Sequence, residues 1–114
     1  RRRSFADGVP VSFGTLFHDA NRFADFPERR EAMGSVSAVY ASYGVPDYKR
    51  ASTQMHARPG RADEAQLLSQ HPDMPVIVVQ SIDADMSGRP IAYTEVIWSA
   101  ARVTFDISNT ENNI

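Results

Sequence analysis

The chain contains no cysteine and carries almost no net charge. Without cysteine it can form no disulfide, no thiolate metal site and no cysteine nucleophile, which fits a reducing compartment. The formal net charge is −2, from 12 basic and 14 acidic residues, so no basic field over the whole domain favours nucleic acid. The longest apolar run, residues 76–79, is far shorter than the roughly 20 residues that span a bilayer.

The length and composition are those of one globular domain. The chain has 114 residues, of which 42% are hydrophobic and 23% charged. A disordered chain would be poorer in apolar residues and would carry more net charge. The chain begins with three arginines and a serine, which lack the apolar stretch of a signal peptide. We therefore expect a soluble, cytoplasmic domain with no membrane partner.

Alternating apolar and polar residues predict several strands. Residues 9–17 alternate after an Asp7-Gly8 turn, and Val103, Phe105 and Ile107 alternate in a last strand. The continuous β-branched run at residues 75–79 is typical of a central strand buried on both faces. The polar tail, residues 108–113, is predicted to fray. The remaining strands are predicted at residues 48–57 and 89–98, the latter after a Ser87-Gly88 turn.

Two helices are predicted between these strands, so the fold class is α+β. The first begins at Glu28 and ends before Gly44 and Pro46, which act as a cap and a stop. The second covers residues 62–69, with Ala65 and Leu68 facing inward. The first helix carries one apolar stripe, formed by Met33, Val36, Val39, Tyr40 and Tyr43.

An internal repeat relates two parts of the chain. The segment at residues 7–13, Asp-Gly-Val-Pro-Val-Ser-Phe, matches Ser-Gly-Arg-Pro-Ile-Ala-Tyr at residues 87–93. The match continues without gaps to Arg22-Phe23 against Arg102-Val103, at a constant offset of 88 − 8 = 80 residues. Two turn–strand copies predict a pseudo-symmetric sheet with a cleft between its halves. Chance recurrence of Gly-x-Pro turns is the alternative.

The repeat also bears on the start of the domain. A helix and the strand at residues 75–79 precede the second copy. The corresponding helix, and most of the corresponding strand, would lie before Arg1. We therefore expect a domain that is incomplete at its N-terminal side, with an exposed strand edge.

From residue 48 onward, an ordered set of motifs resembles a known family. Arg50-Ala-Ser-Thr-Gln-Met-His-Ala-Arg58 is followed by Asp63-Glu-Ala-Gln-Leu-Leu68, Met74-Pro-Val-Ile-Val-Val79 and Gly88-Arg-Pro-Ile-Ala-Tyr93. In order and spacing they resemble the UTRA domain of HutC-type GntR-family regulators, and are most similar to the phosphonate-metabolism regulators of that group. Ala-Asp-Gly-Val-Pro-Val at residues 6–11 matches an earlier element of the family.

The resemblance implies the chorismate-lyase-like α+β fold, with an antiparallel sheet, flanking helices and a ligand cleft. It also implies a winged helix-turn-helix DNA-binding domain that is absent from this chain, through which alone operator DNA would be bound. Family members are usually homodimeric repressors released by a small anionic metabolite. The expected ligand is therefore a phosphonate, a phosphate or a sugar phosphate.

Candidate anion-binding residues follow from the resemblance and from side-chain chemistry. Arg2 matches the first arginine of the family's Arg-x-Arg element, but Ser4 replaces the second. Arg50, with Ser52 on the same predicted strand face, matches an arginine of the phosphonate-type regulators, and a guanidinium beside a hydroxyl suits a phosphonate. Ser35 matches a serine at the start of a family helix. An exposed arginine and a small helix-packing serine are the alternatives.

Two residues on the strand at 89–98 complete the candidate effector site. Glu95 lies on an otherwise apolar face, where a carboxylate needs a partner or an effector. Trp98 either closes the cleft over the ligand or packs in the core. The three histidines, His18, His56 and His71, have none of the close spacings of a metal site, so we expect neither a metal nor another cofactor.

A sensor is therefore the favoured function, and two alternatives remain open. The chorismate-lyase-like fold is shared with an enzyme, so architecture alone does not exclude catalysis. The sequence, however, pairs no nucleophile with a base and contains no P-loop or dinucleotide fingerprint. A dimerisation module without a ligand would have its cleft filled by side chains.

Overall fold

The computed structural model describes residues 2–107. It contains a five-stranded antiparallel sheet and three α-helices, which confirms the predicted α+β class. The predicted tail at residues 108–113 lies outside the described residues. In chain order the elements are β1 (Arg2–Ala6), β2 (Val9–Phe17), α1 (Phe26–Met33), α2 (Val36–Ser42), β3 (Tyr48–Pro59), α3 (Ala62–Leu68), β4 (Pro75–Asp85), β5 (Pro90–Ser99) and a 3-10 helix (Ala100–Arg102).

The strand order is β1-β2-β5-β4-β3, so the β1–β2 and β4–β5 hairpins lie side by side, with β1 and β3 at the two edges of the sheet. The β1–β2 hairpin turns at Asp7 and Gly8, whose φ angles of 51° and 79° are both left-handed. Such a turn matches the right-handed twist of the flanking strands. The β4–β5 hairpin turns at the predicted Ser87-Gly88, and Gly88 again has a positive φ of 91°.

The register of β2 against β5 agrees with the internal repeat. Thr15 pairs with Glu95, the residue that the repeat makes equivalent to it. The flanking pairs, Gly14 with Val96 and Leu16 with Thr94, exchange with each other under the same offset. A pseudo-twofold axis therefore passes through the Thr15–Glu95 pair and relates the two hairpins, as the sequence predicts.

Each face of the sheet has its own hydrophobic cluster. Ala65 and Leu68 of α3 are buried as predicted, and Leu68 packs on one face. We call this the α3 face, and its cluster consists of Phe13, Leu68, Val76, Val78 and Ile97. Helices α1 and α2 lie over the opposite α1–α2 face. That cluster consists of Phe23, Phe26, Val39, Tyr40, Val45, Ile91 and Ala92.

The predicted first helix is in fact two helices, so that prediction was wrong at its centre. Gly34 ends α1 with a φ of 76°, and its N–H donates to the carbonyl of Arg30. The Ser35 hydroxyl then accepts a hydrogen bond of 3.0 Å from the N–H of Ala38 and begins α2. Glycine in a left-handed C-cap followed by a serine N-cap is a strong local break, which the apolar stripe concealed. Met33, assigned to that stripe, is 44% exposed.

The predicted last strand is also wrong. Residues 100–102 form a 3-10 helix, and residues 103–107 have no regular structure despite their alternation. Arg102 accounts for the change of direction. Its guanidinium donates to the carbonyls of Pro10 at 2.8 Å, Leu68 at 2.5 Å and Ser69 at 2.9 Å. One side chain thus joins β2 to the C-terminal end of α3, where the carbonyls lack partners within the helix.

Replacing Arg102 by alanine is expected to lower the free energy of unfolding by about 2 kcal/mol, because hydrogen bonds from a charged donor to three carbonyls are lost. Chemical denaturation of the 114-residue chain measures this difference. Arg89→Ala is the control, since no hydrogen bond of the Arg89 side chain occurs within residues 2–107. Equal stability of the two variants would show that the Arg102 contacts contribute nothing.

Candidate functional site

A cavity of about 820 Å³ lies between the sheet and the segment that leads into α1. Its floor is the α1–α2 face of β1, β2 and β5, and its wall is residues 18–30 together with Val36. We call it the main cavity. It is lined by Arg2, Ser4, Ser12, Gly14, Thr15, Leu16, His18, Ala20, Phe23, Ala24, Asp25, Phe26, Pro27, Arg30, Val36, Thr94, Val96 and Trp98.

Successive side chains along a strand point to opposite faces of the sheet, and this alternation decides which residues form the floor. Arg2 of β1 pairs with Gly14 of β2, and Gly14 pairs with Val96 of β5, so the three lie in one row on one face. Gly14 keeps this row open, because a Cβ added there would lie 3.3 Å from a methyl carbon of Val96. A larger residue would also occupy the space above the floor.

The charged groups of the main cavity include two arginines without partners. The side chains of Arg2 and Arg30 form no hydrogen bond or ion pair within residues 2–107. Asp25, at the start of α1, is the one acidic residue of the lining, and its carboxylate does not cap the helix. With two free guanidiniums and one carboxylate in its lining, the cavity is suitable for an anion that carries a further polar group.

The wall near α1 is aromatic. The His18 ring packs against the rings of Phe26 and Phe23, at centroid distances of 3.9 Å and 5.2 Å. Its Nε2 lies 2.8 Å from the hydroxyl of Tyr40. Burial lowers the pKa of His18 and raises the pKa of Tyr40 to about 12, so both groups are neutral at pH 7.

Two of the six predicted site residues line the main cavity. Arg2 and Trp98 do so, as does Ser4, the residue that replaces the family arginine. Ser12 pairs with both Ser4 and Trp98, so these three residues form a second row beside the Arg2 row. The Trp98 ring is half-buried and meets Phe105 edge to face, with centroids 5.4 Å apart.

The structure places Glu95 on the α3 face, away from the main cavity. Glu95 pairs with Gln80, whose side-chain amide donates to its carboxylate at 3.1 Å. The partner that the sequence required for this carboxylate is therefore another residue of the sheet. Glu95 also contributes to raising the pKa of Tyr93, although burial is the larger cause.

Arg50 and Ser52 do not share a face. A bulge between them pairs Arg50 with Asp83 but Ser52 with Ile82, and these two partners are consecutive residues on opposite faces of β4. Arg50 lies on β3, outside the lining of the main cavity. Its guanidinium Nε is 2.6 Å from an Asp83 carboxylate oxygen, and Nη1 is 3.1 Å from the hydroxyl of Ser81.

Ser35, the remaining predicted residue, is also outside the lining and is occupied as the N-cap of α2. Sequence reasoning missed Arg30, Asp25 and, as a binding residue, His18. Arg30 lies in a helix that the predicted pattern began at Glu28, but nothing in that pattern shows which side of the helix meets a cavity. His18 could have been found from the repeat, because it is equivalent to Trp98 and both residues line the cavity.

Other features of residues 2–107 that bear on function include a second cavity, the lengths of the helices and the placement of possible metal ligands. A second cavity of about 340 Å³ is also lined by His18, together with residues that include Tyr93 and Ile82. Within residues 2–107, every helix is too short or too polar to span a bilayer. Over the same residues, no group of histidine and acidic side chains could hold a metal ion.

Comparison with known proteins identifies the family. The sequence profile of the UTRA domain matches residues 1–104. The chain belongs to the UTRA domain family. An uncharacterized HTH-type transcriptional regulator of Rhizobium meliloti (strain 1021) is 38% identical to this UTRA domain over 104 residues, which are 91% of the chain and 43% of that protein. The chain thus spans less than half the length of this curated relative.

Solved structures confirm the fold of this UTRA domain. The C-terminal domain of Yurk from Bacillus subtilis superposes with a TM-score of 0.84 at 16% identity, covering 95% of this chain and 74% of that one. The effector domain of PhnF from Mycobacterium smegmatis gives 0.73 at 22% identity, covering 90% and 64%. The fold is therefore the chorismate-lyase-like α+β fold of UTRA domains. Among these matches, the Rhizobium protein is a transcriptional regulator and the PhnF structure is an effector domain, and neither is an enzyme.

Proposed function

We propose that this UTRA domain is the effector sensor of a transcription regulator, and that it binds a small anionic metabolite in the main cavity. The anion is a phosphate, a phosphonate or a sugar phosphate. Binding favours one arrangement of a homodimer and so changes the affinity of attached winged helix-turn-helix domains for operator DNA. The protein acts in the cytoplasm.

One observation carries the proposal. The main cavity contains two arginines, Arg2 and Arg30, that have no partner within residues 2–107. Three arginines outside the cavity are engaged: Arg50 with Asp83, Arg58 with Glu64, and Arg102 with three carbonyls. A guanidinium that the protein leaves unpaired in a concave site is available for the charge-assisted hydrogen bonds that bind phosphate groups.

The size of the cavity supports a ligand over a pure dimerisation module. At about 820 Å³ it falls within the range of roughly 300–1,000 Å³ that is usual for small-molecule sites. A module without a ligand would fill this space with side chains, whereas Gly14 keeps the floor open. The hydroxyls of Ser4, Ser12 and Thr94 line the same space and can bind oxygen atoms of the ligand.

Calorimetric titration of the 114-residue chain tests the proposal. The panel contains inorganic phosphate, methylphosphonate and sugar phosphates, with uncharged sugars of matched size as controls. We expect saturable heat with at least one anion and none with the uncharged sugars. A folded chain that binds none of the anions would contradict the proposal, and catalytic turnover of a bound ligand would favour an enzyme instead.

A further inference from the structure

His18 and Arg2 both line the main cavity, but they lie at different points along the direction of β2. His18 follows β2 directly and lies four residues after Gly14, the partner of Arg2, which is about 13 Å at 3.3 Å per residue. The rings of Phe26, Phe23 and Tyr40 pack against its imidazole at centroid distances of 3.9, 5.2 and 5.6 Å. These contacts, together with the hydrogen bond to Tyr40, hold the plane of the ring.

The hydrogen bond between His18 and Tyr40 has a defined direction. The Tyr40 side chain is buried, and burial raises its pKa to about 12, so the phenol keeps its proton at neutral pH. Within residues 2–107 the Tyr40 hydroxyl has no partner other than His18 Nε2, at 2.8 Å. A buried hydroxyl proton without an acceptor is costly, so Tyr40 donates and Nε2 accepts.

The tautomer of His18 follows from that direction. Burial lowers the pKa of His18, so the imidazole is neutral at pH 7 and carries one proton. Because Nε2 accepts a hydrogen bond, the proton is on Nδ1. Over residues 2–107 Nδ1 has no partner, and it is not among the polar atoms sealed from solvent.

We propose that His18 donates its Nδ1–H to an oxygen of the effector, and that Tyr40 is the positioning residue that maintains this tautomer. The inference rests on the proposed function of the main cavity and narrows its ligand. The effector carries an anionic group for Arg2 and, some distance along the molecule, a hydroxyl or carbonyl oxygen for His18. A hydroxylated phosphate or phosphonate fits this description better than a simple alkylphosphonate.

The tautomer is measured first, by ¹⁵N NMR of the chain at pH 7 without any ligand. We expect the signals of a protonated Nδ1 and an unprotonated Nε2 for His18, and a shift toward a mixture of tautomers in Tyr40→Phe. An imidazolium, or a ring protonated at Nε2, would overturn the inference. This result does not depend on anion binding, so it is separate from the test of the proposed function.

Binding is measured next, with inorganic phosphate and glycerol 3-phosphate as probes. We expect the native chain to bind glycerol 3-phosphate more tightly than phosphate. In the variant His18→Phe, the ratio of these two affinities should fall about tenfold. The double variant with Tyr40→Phe removes the hydroxyl that His18→Phe leaves unpaired, and it is used if the single variant does not fold. An unchanged preference in a folded variant would contradict the inference.

Discussion

Replacing Arg2 by alanine is expected to weaken binding of inorganic phosphate or methylphosphonate about 50-fold. Hydrogen bonds to charged groups contribute about 1.5–3 kcal/mol, and about 1.4 kcal/mol corresponds to a tenfold change in affinity. Arg2 lines the main cavity and has no partner within residues 2–107. Its replacement therefore removes a contact with the ligand and leaves no carboxylate of the protein without its partner. Titration calorimetry of native and variant chains measures the difference.

Arg3→Ala is the matched control for this variant. It removes the same charge from the adjacent residue, but Arg3 pairs with Phe13 on the α3 face, and its guanidinium lies over the Phe5 ring at 5.4 Å. We expect its affinity to stay within about twofold of the native value, because the exposed Arg3 side chain lies on the opposite face of the sheet and its charge is screened by salt.

The variant Arg50→Ala distinguishes anion binding in the main cavity from anion binding at Arg50 on β3. Arg50 is already bonded to Asp83 and Ser81, so its loss should also change affinity by no more than about twofold. If Arg50→Ala abolished binding while Arg2→Ala retained it, the anion would lie at β3 and the assignment of the main cavity would be wrong.

The pattern of side chains predicted most elements of the fold but not their faces. Residues 9–17 were predicted as a strand with the bounds that β2 has, because strict alternation between turns is an unambiguous signal. The repeat predicted a pseudo-symmetric sheet, and the Thr15–Glu95 register agrees with it. Alternation does not show which face lies under α1 and α2, so Glu95 was assigned to the cavity although it lies on the α3 face.

Local irregularities account for the other differences. The bulge at β3 adds one residue between Arg50 and Ser52 and sends them to opposite faces, and a bulge leaves no clear mark in the sequence. Residues 103–107 alternate but form no strand. Arg102 binds the Pro10 carbonyl of β2 and two carbonyls at the end of α3, and only tertiary folding brings these two elements together. Arg30 escaped prediction for the same reason, since its role depends on how α1 lies over the sheet.

Replacing Glu64 by glutamine is expected to lower the free energy of unfolding at pH 7 by about 2–3 kcal/mol. Glu64 of α3 is 4% exposed, and its two oxygens accept hydrogen bonds from Arg58 of β3 at 2.6 and 2.7 Å. Breaking a buried pair by removing one partner costs about 3–5 kcal/mol. The lower figure applies because the Arg58 side chain is 24% exposed and water can reach its guanidinium.

The pH dependence of this variant distinguishes the ion pair from simple packing. The hydrogen bonds from Arg58 lower the pKa of Glu64 below its usual 4.5, against the opposing effect of burial. The stabilisation is therefore fully present above pH 4.5 and is lost as the pH falls through the lower pKa of the folded state. Native chain and Glu64→Gln should converge in stability as the pH falls from about 5 to 3.

Asp63→Asn is the control, because Asp63 is the exposed neighbour of Glu64 in the first turn of α3. We expect it to change stability by less than about 0.5 kcal/mol, as is usual for an exposed carboxylate. Urea denaturation at several pH values measures all three chains. A difference between native and Glu64→Gln that stays constant down to pH 3 would mean that glutamine disturbs packing, and that the Arg58–Glu64 pair does not join α3 to β3 electrostatically.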